Sequence, residues 1–197
     1  MSTQVQTKRF TLEEYFEYEL KAERRHEFID GKIEPVTYTS KNHGRIVSNL
    51  HGLLFPLLGD RGLEIYAGDR MLHIPPCNRI YYPDLIILPI DTDTFQYKGK
   101  MEADLYPTAL VEVLSDSTED DDRTDKWRCY KMIDSLRQYV LISQKYPYIE
   151  TFHRRENQRE WLYTFYDDLE QEVEIAGCPV RLEDVYRRVE RGRTEKP

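Results

Sequence analysis

Apolar residues at Ile46, Val47, Leu50, Leu53, Leu54, Leu57 and Leu58 fall on one helical face and predict a helix opened by a Ser40 or Asn42 cap. Gly59-Asp-Arg-Gly62 closes it. Thr11-Leu-Glu-Glu14 spells a capping box and predicts a shorter helix to about Leu20. Between the two helices, His26–Ile29 and Lys32–Pro35 flank Asp30-Gly31, the residue pair that accepts both positive-φ positions of a tight hairpin. Leu63 to Ile74 reads as one strand, Arg79 to Leu88 as another and Ala109 to Leu114 as a third. A second helix is predicted from Thr124 to about Met132, with Lys126, Tyr130 and Ile133 in one stripe. Gln138–Ser143, Tyr148–Arg154 and Trp161–Tyr166 follow as strands, the last two an antiparallel pair, and Leu182–Val189 as a terminal helix. Leu85-Ile-Ile-Leu88 and Leu110-Val-Glu-Val-Leu114 are almost wholly apolar, so both faces of these strands should be covered. The order of elements gives an α/β or α+β fold with a mixed sheet.

The 197 residues suit one domain, expected over residues 10–190 between a disordered segment (1–9) and a flexible tail (191–197). No window approaches the ~18 apolar residues of a membrane span, and the first residues lack the apolar core of a secretory signal. Three cysteines without a CxxC pair suggest reduced thiols in a cytoplasmic protein. The net charge of −8 argues against a nonspecific nucleic-acid coat. Its distribution weakens that argument. Residues 1–100 carry 13 basic and 14 acidic groups, whereas residues 101–197 carry 15 and 22. Lys41, Arg45, Arg70 and Arg79 are thus expected to be available to phosphates, and the acidic run 116–125 reads as a solvated loop.

Two acids interrupt the apolar strands, Asp84 and Glu112. Burying an unpaired carboxylate costs several kcal/mol, so each needs a partner. Alternation sets Asp84 with Ile86 and Leu88, and Glu112 with Leu110 and Leu114. If the strands are neighbours the acids converge, either as a hard-cation site or as structural acids bonded to backbone amides or an arginine. Lys126, 14 residues on, reads either as a cation that reaches the carboxylates or as a helix-surface charge near Asp122. No glycine elbow, phosphate-cradling loop or HExxH pattern competes.

Four segments carry a specific resemblance: Tyr81-Tyr-Pro-Asp84-Leu-Ile-Ile, Pro107-Thr-Ala-Leu-Val-Glu112-Val-Leu-Ser-Asp-Ser-Thr118, Asp122-Arg-Thr-Asp-Lys126-Trp-Arg-Cys-Tyr130 and Leu136-Arg-Gln-Tyr-Val-Leu-Ile142. With Thr11-Leu-Glu-Glu-Tyr, His26-Glu-Phe-Ile-Asp-Gly-Lys-Ile and His43-Gly-Arg-Ile, they resemble the Uma-two family over roughly residues 10–190. The resemblance implies a restriction endonuclease-like, PD-(D/E)xK fold: a central mixed sheet flanked by helices, with a divalent-metal site. Pro83-Asp84 then matches the PD element and Glu112 the second acid. Leu114 stands where the common pattern has lysine, and Lys126 takes that place from the following helix.

The implied function is a Mg²⁺- or Mn²⁺-dependent endonuclease acting on DNA, with metal held by Asp84, Glu112 and the carbonyl of Val113, and with Lys126 stabilising charge. Glu27 reads as a further acid of the shell or as an exposed hairpin acid, His43 as a cap or core residue more readily than a ligand, and Gln144 as an auxiliary group. Two rivals stay open: a nuclease fold kept as a binding module without turnover, and a metal-free hydrolase of a small substrate using two carboxylates. A homodimer is compatible with the fold, many members of which cut duplexes with paired sites, but the sequence shows no interface.

Overall fold

The computed structural model describes residues 8–116, 118–156 and 159–190; the segments expected to be disordered or flexible at the two ends lie largely outside these residues. The capping box forms as expected: the Thr11 hydroxyl accepts from the Glu14 amide and the Glu14 carboxylate accepts from the Thr11 amide, opening α1 (Leu12–Glu19). Strands β1 (His26–Ile29) and β2 (Lys32–Pro35) pair antiparallel around Asp30 (φ 51°) and Gly31 (φ 82°). Ser40 caps α2 (Lys41–Leu58) by accepting from the His43 amide. Gly62, left-handed at φ 69°, ends the 3-10 turn that follows.

Two expected strands are each split between two sheets. Leu63–Ile74 divides into β3 (Leu63–Ala67) and β4 (Leu72–Ile74), with Gly68 at φ 62° between them. Arg79–Leu88 divides into β5 (Arg79–Tyr81) and β6 (Leu85–Pro89). Pro83 has no N–H to give to a ladder, so the strand breaks there. The two crossings are joined, because the Gly68 amide donates to the Asp84 carbonyl at 2.9 Å. Two further hairpins were not anticipated: β7 (Thr94–Tyr97) with β8 (Met101–Asp104), and β13 (Glu172–Ile175) with β14 (Cys178–Arg181). The remaining strands are β9 (Ala109–Leu114), β10 (Gln138–Ser143), β11 (Ile149–Arg154) and β12 (Trp161–Tyr166). One sheet runs β2-β1-β5-β4-β8-β7 and the other β12-β11-β10-β9-β6-β3, with β9 and β10 parallel and the other pairs of that sheet antiparallel. The fold is mixed α+β, with sheets flanked by helices.

Alternation in the second sheet sorts its residues between two cores. Leu85, Ile87, Val111, Val113, Val140 and Ile142 face α2, the β13–β14 hairpin and the single-turn α5 (Leu182–Val185), which is shorter than the expected helix to Val189. Ile86, Leu88, Leu110, Leu114, Tyr139 and Leu141 face the other way, against Cys129, Tyr130 and the first sheet's Leu72 and Tyr81. Both faces are covered, which is why these strands are apolar throughout. A third core lies under α1.

The acidic run holds the larger surprise. It is not simply a loop: α3 (Glu119–Asp121), a π-helical turn (Asp122–Lys126) and α4 (Trp127–Tyr130) follow one another without a break. Arg123 ties this segment to the second sheet through Glu150 on β11, at 2.5 Å. The cysteine expectation also fails. Cys77, in a 3-10 turn after β4, forms a disulfide with Cys129 on α4, and Cys178 is free and buried.

Candidate active site

The antiparallel register of β6 and β9 pairs Leu85 with Val111 and Ile86 with Leu110. One step further, Asp84 lies opposite Glu112. The Asp84 amide donates to Glu112 Oε2 at 3.3 Å. Because Pro83 breaks the strand, Asp84 stands at the sheet's mouth with its side chain 21% exposed, while Glu112 is buried within β9.

Each carboxylate is held by several groups. Asp84 Oδ2 accepts from the Val113 amide at 2.7 Å and lies 2.9 Å from His43 Nε2, in the first turn of α2. Since a carboxylate only accepts, that imidazole nitrogen carries the proton. Asp84 Oδ1 has no hydrogen bond among the described residues. Glu112 Oε1 accepts from the Tyr130 hydroxyl at 2.8 Å and lies 3.4 Å from Lys126 Nζ. Lys126 Nζ is also 2.9 Å from Asp122 Oδ1, four residues earlier on the same helix.

Asp122, Lys126 and Tyr130 thus form one i, i+4, i+8 stripe aimed at Glu112. Burial pushes the Glu112 carboxyl well above its usual range; Lys126 opposes this, and Asp122 and Asp84 add to it. Burial alone would lower Lys126, but Glu112, Asp122 and Glu27 outweigh it and hold the ammonium charged.

Glu27 faces the same cavity of about 270 Å³, lined also by His43, Asp84, Glu112, Lys126 and Gln144. Its carboxylate accepts weakly from the Tyr82 amide at 3.4 Å, and burial raises it above the usual range. Among the described residues, no three His, Cys, Asp or Glu side chains are arranged to hold a metal ion. Asp84 and Glu112 supply two adjacent carboxylates instead. All their donors are oxygen, as Mg²⁺ and Mn²⁺ prefer, and acids outnumber the single ammonium, so the set is chemically compatible with a hard cation that draws the rest of its shell from water. Gln144 donates to the Leu114 carbonyl at 3.0 Å and accepts from the Ser40 hydroxyl, fixing the start of α2 beside the site.

The basic residues expected to meet phosphate are otherwise engaged. Arg79 is buried against Asp30, and Arg70 is held by Asp104 and Glu102. Arg45 and Lys41 both approach Glu190. Arg70 and Arg79 are therefore neutralised locally, whereas Lys41 and Arg45 share one exposed carboxylate and keep a net positive charge, a pairing that composition does not reveal.

A sequence profile of the Uma2 family, described as "Putative restriction endonuclease", matches residues 12–184. The chain belongs to the Uma2 family. It is 34% identical over 173 residues to "Uncharacterized protein sll1609" of Synechocystis, covering 86% of this chain and 94% of that one. A second Synechocystis protein, "Uncharacterized protein slr1290", is 30% identical over 178 residues, 89% of this chain and 90% of its own length. A crystal structure of "a putative nuclease belonging to DUF820" from Anabaena variabilis superposes with a TM-score of 0.71 at 15% identity, over 90% of this chain and 97% of that one. At that identity the likeness speaks for the fold. In this Uma2 protein, the sequence reading placed Asp84, Glu112, Lys126 and Glu27, and the structure brings all four to one cavity. Asp122 was read only as a surface neighbour of Lys126 and Tyr130 only as a residue of its stripe; their burial and the Tyr130 bond to Glu112 come from the structure.

Proposed function

We propose that this protein is a divalent-metal-dependent endonuclease that hydrolyses phosphodiester bonds in DNA. The observation that carries the reading is the placement of Asp84 opposite Glu112 with the Lys126 ammonium 3.4 Å from the Glu112 carboxylate. In this reading Asp84, Glu112 and the Val113 carbonyl hold Mg²⁺ or Mn²⁺. The cation, when bound, polarises the scissile phosphate and lowers the pKa of a water. Lys126 stays charged and offsets the negative charge that grows on the phosphate oxygens. His43 and the Val113 amide hold Asp84 Oδ2, which turns Oδ1 to the cavity. Tyr130 fixes Glu112, and Glu27 lies across the cavity as a further acid for ordering water.

Residues 10–190 act as one domain in this proposal, and a homodimer would bring two such sites together. A DNA substrate argues for a cytoplasmic location; in the described residues no helix is long and apolar enough to cross a membrane.

The test is nicking of supercoiled plasmid by purified protein with Mg²⁺ or Mn²⁺, compared with Asp84→Ala and Glu112→Ala. Nicking by wild type alone is expected, and equal nicking by both variants overturns the assignment. The lack of a three-side-chain metal cluster among the described residues favours a second reading, a nuclease fold retained as a binding module. Calorimetric titration with Mn²⁺ separates the two, because the binding module would take up no cation at this site.

A further inference from the structure

Tyr38 is 97% exposed, far more than any other large hydrophobic residue described, the next being Phe55 at 65%. It lies in the segment between β2 and α2, which is held at both ends. The Val36 amide donates to the Arg25 carbonyl at 3.0 Å, and the Ser40 hydroxyl donates to Gln144. Tyr38 makes no hydrogen bond or ring contact among the described residues, so no fold contact explains an aromatic ring there. Its position does suggest a use. Val36 to Thr39 line both the 270 Å³ cavity at Asp84 and Glu112 and a wider cleft of about 840 Å³. His43, Tyr82 and Asp84 are common to both spaces, so the two are one path across the site. Arg24 lines the wider cleft, is exposed and forms no ion pair among the described residues.

The reacting groups are recessed: the Glu112 and Lys126 side chains are 4% and 8% exposed. The inner cavity, about 270 Å³, lies just under the roughly 300–1,000 Å³ of small-molecule pockets, so it is too small to admit an intact duplex. A phosphate reaches the recessed Glu112 and Lys126 when its strand is lifted from its partner and bends into the cavity. Unpaired bases are bound by stacking on exposed aromatic rings with a cation tracking the backbone, a mode that tolerates any base. Resting on the nuclease reading above, we infer that the substrate is single-stranded DNA at the point of cleavage, and that Tyr38 is the ring on which a base beside the scissile phosphate stacks. Arg24 meets the backbone in the wider cleft.

The experiment uses the full chain and two labelled oligodeoxynucleotides, one single-stranded and one its duplex. Cleavage is followed in Mg²⁺, and binding by fluorescence anisotropy with Ca²⁺ in its place. Single strands are expected to be cut at least tenfold faster than the duplex. Tyr38→Ala should weaken single-strand binding by about tenfold or more, while Tyr38→Phe and Tyr38→Trp keep it. Thermal unfolding should be unchanged in all three, since the ring packs on nothing. A 2-aminopurine base in the single strand should be quenched by wild type and less so by Tyr38→Ala. Equal cutting of duplex and single strand with no effect of Tyr38→Ala overturns the inference and leaves the nuclease reading standing. If neither oligonucleotide is bound or cut, the nuclease reading fails and this inference with it.

Discussion

His43 Nε2 sits 2.9 Å from Asp84 Oδ2, joining the first turn of α2 to the mouth of β6. Its other nitrogen, Nδ1, is buried without a hydrogen bond, which costs less for a bare acceptor than for an N–H. The imidazole is therefore a fixed donor to the carboxylate, and its place at the helix start follows from the Ser40 cap. Outer-shell partners of metal ligands typically change affinity by about 10–100-fold when removed. His43→Ala should weaken Mn²⁺ binding by that range in calorimetry, and His43→Gln should recover part of it by restoring an N–H. Unaltered Mn²⁺ affinity in His43→Ala would leave His43 a packing residue only.

Lys126 has two roles that one variant would confuse. It pairs with Asp122 and Glu112, both buried, and removing one partner of a buried pair costs about 3–5 kcal/mol because the other charge is left stranded. Lys126→Met should lose that stability in urea unfolding and also lose nicking. Adding Asp122→Asn removes one stranded charge, so the double variant should regain part of the stability while nicking stays absent. Full nicking in the double variant would show that the ammonium takes no part in the reaction.

Legibility in the sequence followed a physical division. Local signals were readable: the Thr11 capping box, the Asp30-Gly31 turn and the one-face spacing of α2 depend on neighbours within four residues, and each formed. Asp84 and Glu112 stood out as charges in apolar runs, and the β6–β9 register brought them together. What stayed hidden depends on the sheet to which a segment is handed. An apolar run looks the same whether it continues or crosses between sheets, so the breaks at Gly68 and Pro83 were passed over, although both residue types warn of them. Asp122 read as a neighbour of Lys126 on an exposed helix face; its burial, which depends on the packing of the segment against Tyr139, is what the sequence does not reveal. Arg79 read as a free cation because composition cannot reveal Asp30 across the hairpin.

The Cys77–Cys129 disulfide spans 52 residues and anchors α4 one residue before Tyr130. Closing a loop of that length removes unfolded-state entropy equivalent to about 4 kcal/mol as an upper value. Alkylation in denaturant without reductant should label only Cys178, and with reductant all three cysteines. The Cys77→Ser/Cys129→Ser variant should unfold at lower urea concentration, by up to that amount. A reducing thiol pool would tend to open the bridge; neither cysteine lines the Asp84–Glu112 cavity, so nicking is expected to persist in dithiothreitol. Labelling of three thiols without reductant would show the bridge to be absent.

His73 supplies a pH dependence away from Asp84 and Glu112. It lies buried in β4 with its ring edge against Phe95, centroids 5.2 Å apart, and Nδ1 has no hydrogen bond. Burial holds its imidazole below the usual 6.5. Below that value the unfolded chain binds a proton that the folded chain refuses, so stability falls as pH drops. The contribution is complete above about pH 6.5 and is lost progressively toward the folded value, with a slope of at most about 1.4 kcal/mol per pH unit for one proton. His73→Phe removes the titrating group and keeps a ring against Phe95. Urea midpoints measured at pH 7.5, 6.5 and 5.5 should fall less steeply for this variant than for wild type. Parallel pH profiles would mean that His73 takes up its proton in the folded state as readily as in the unfolded chain.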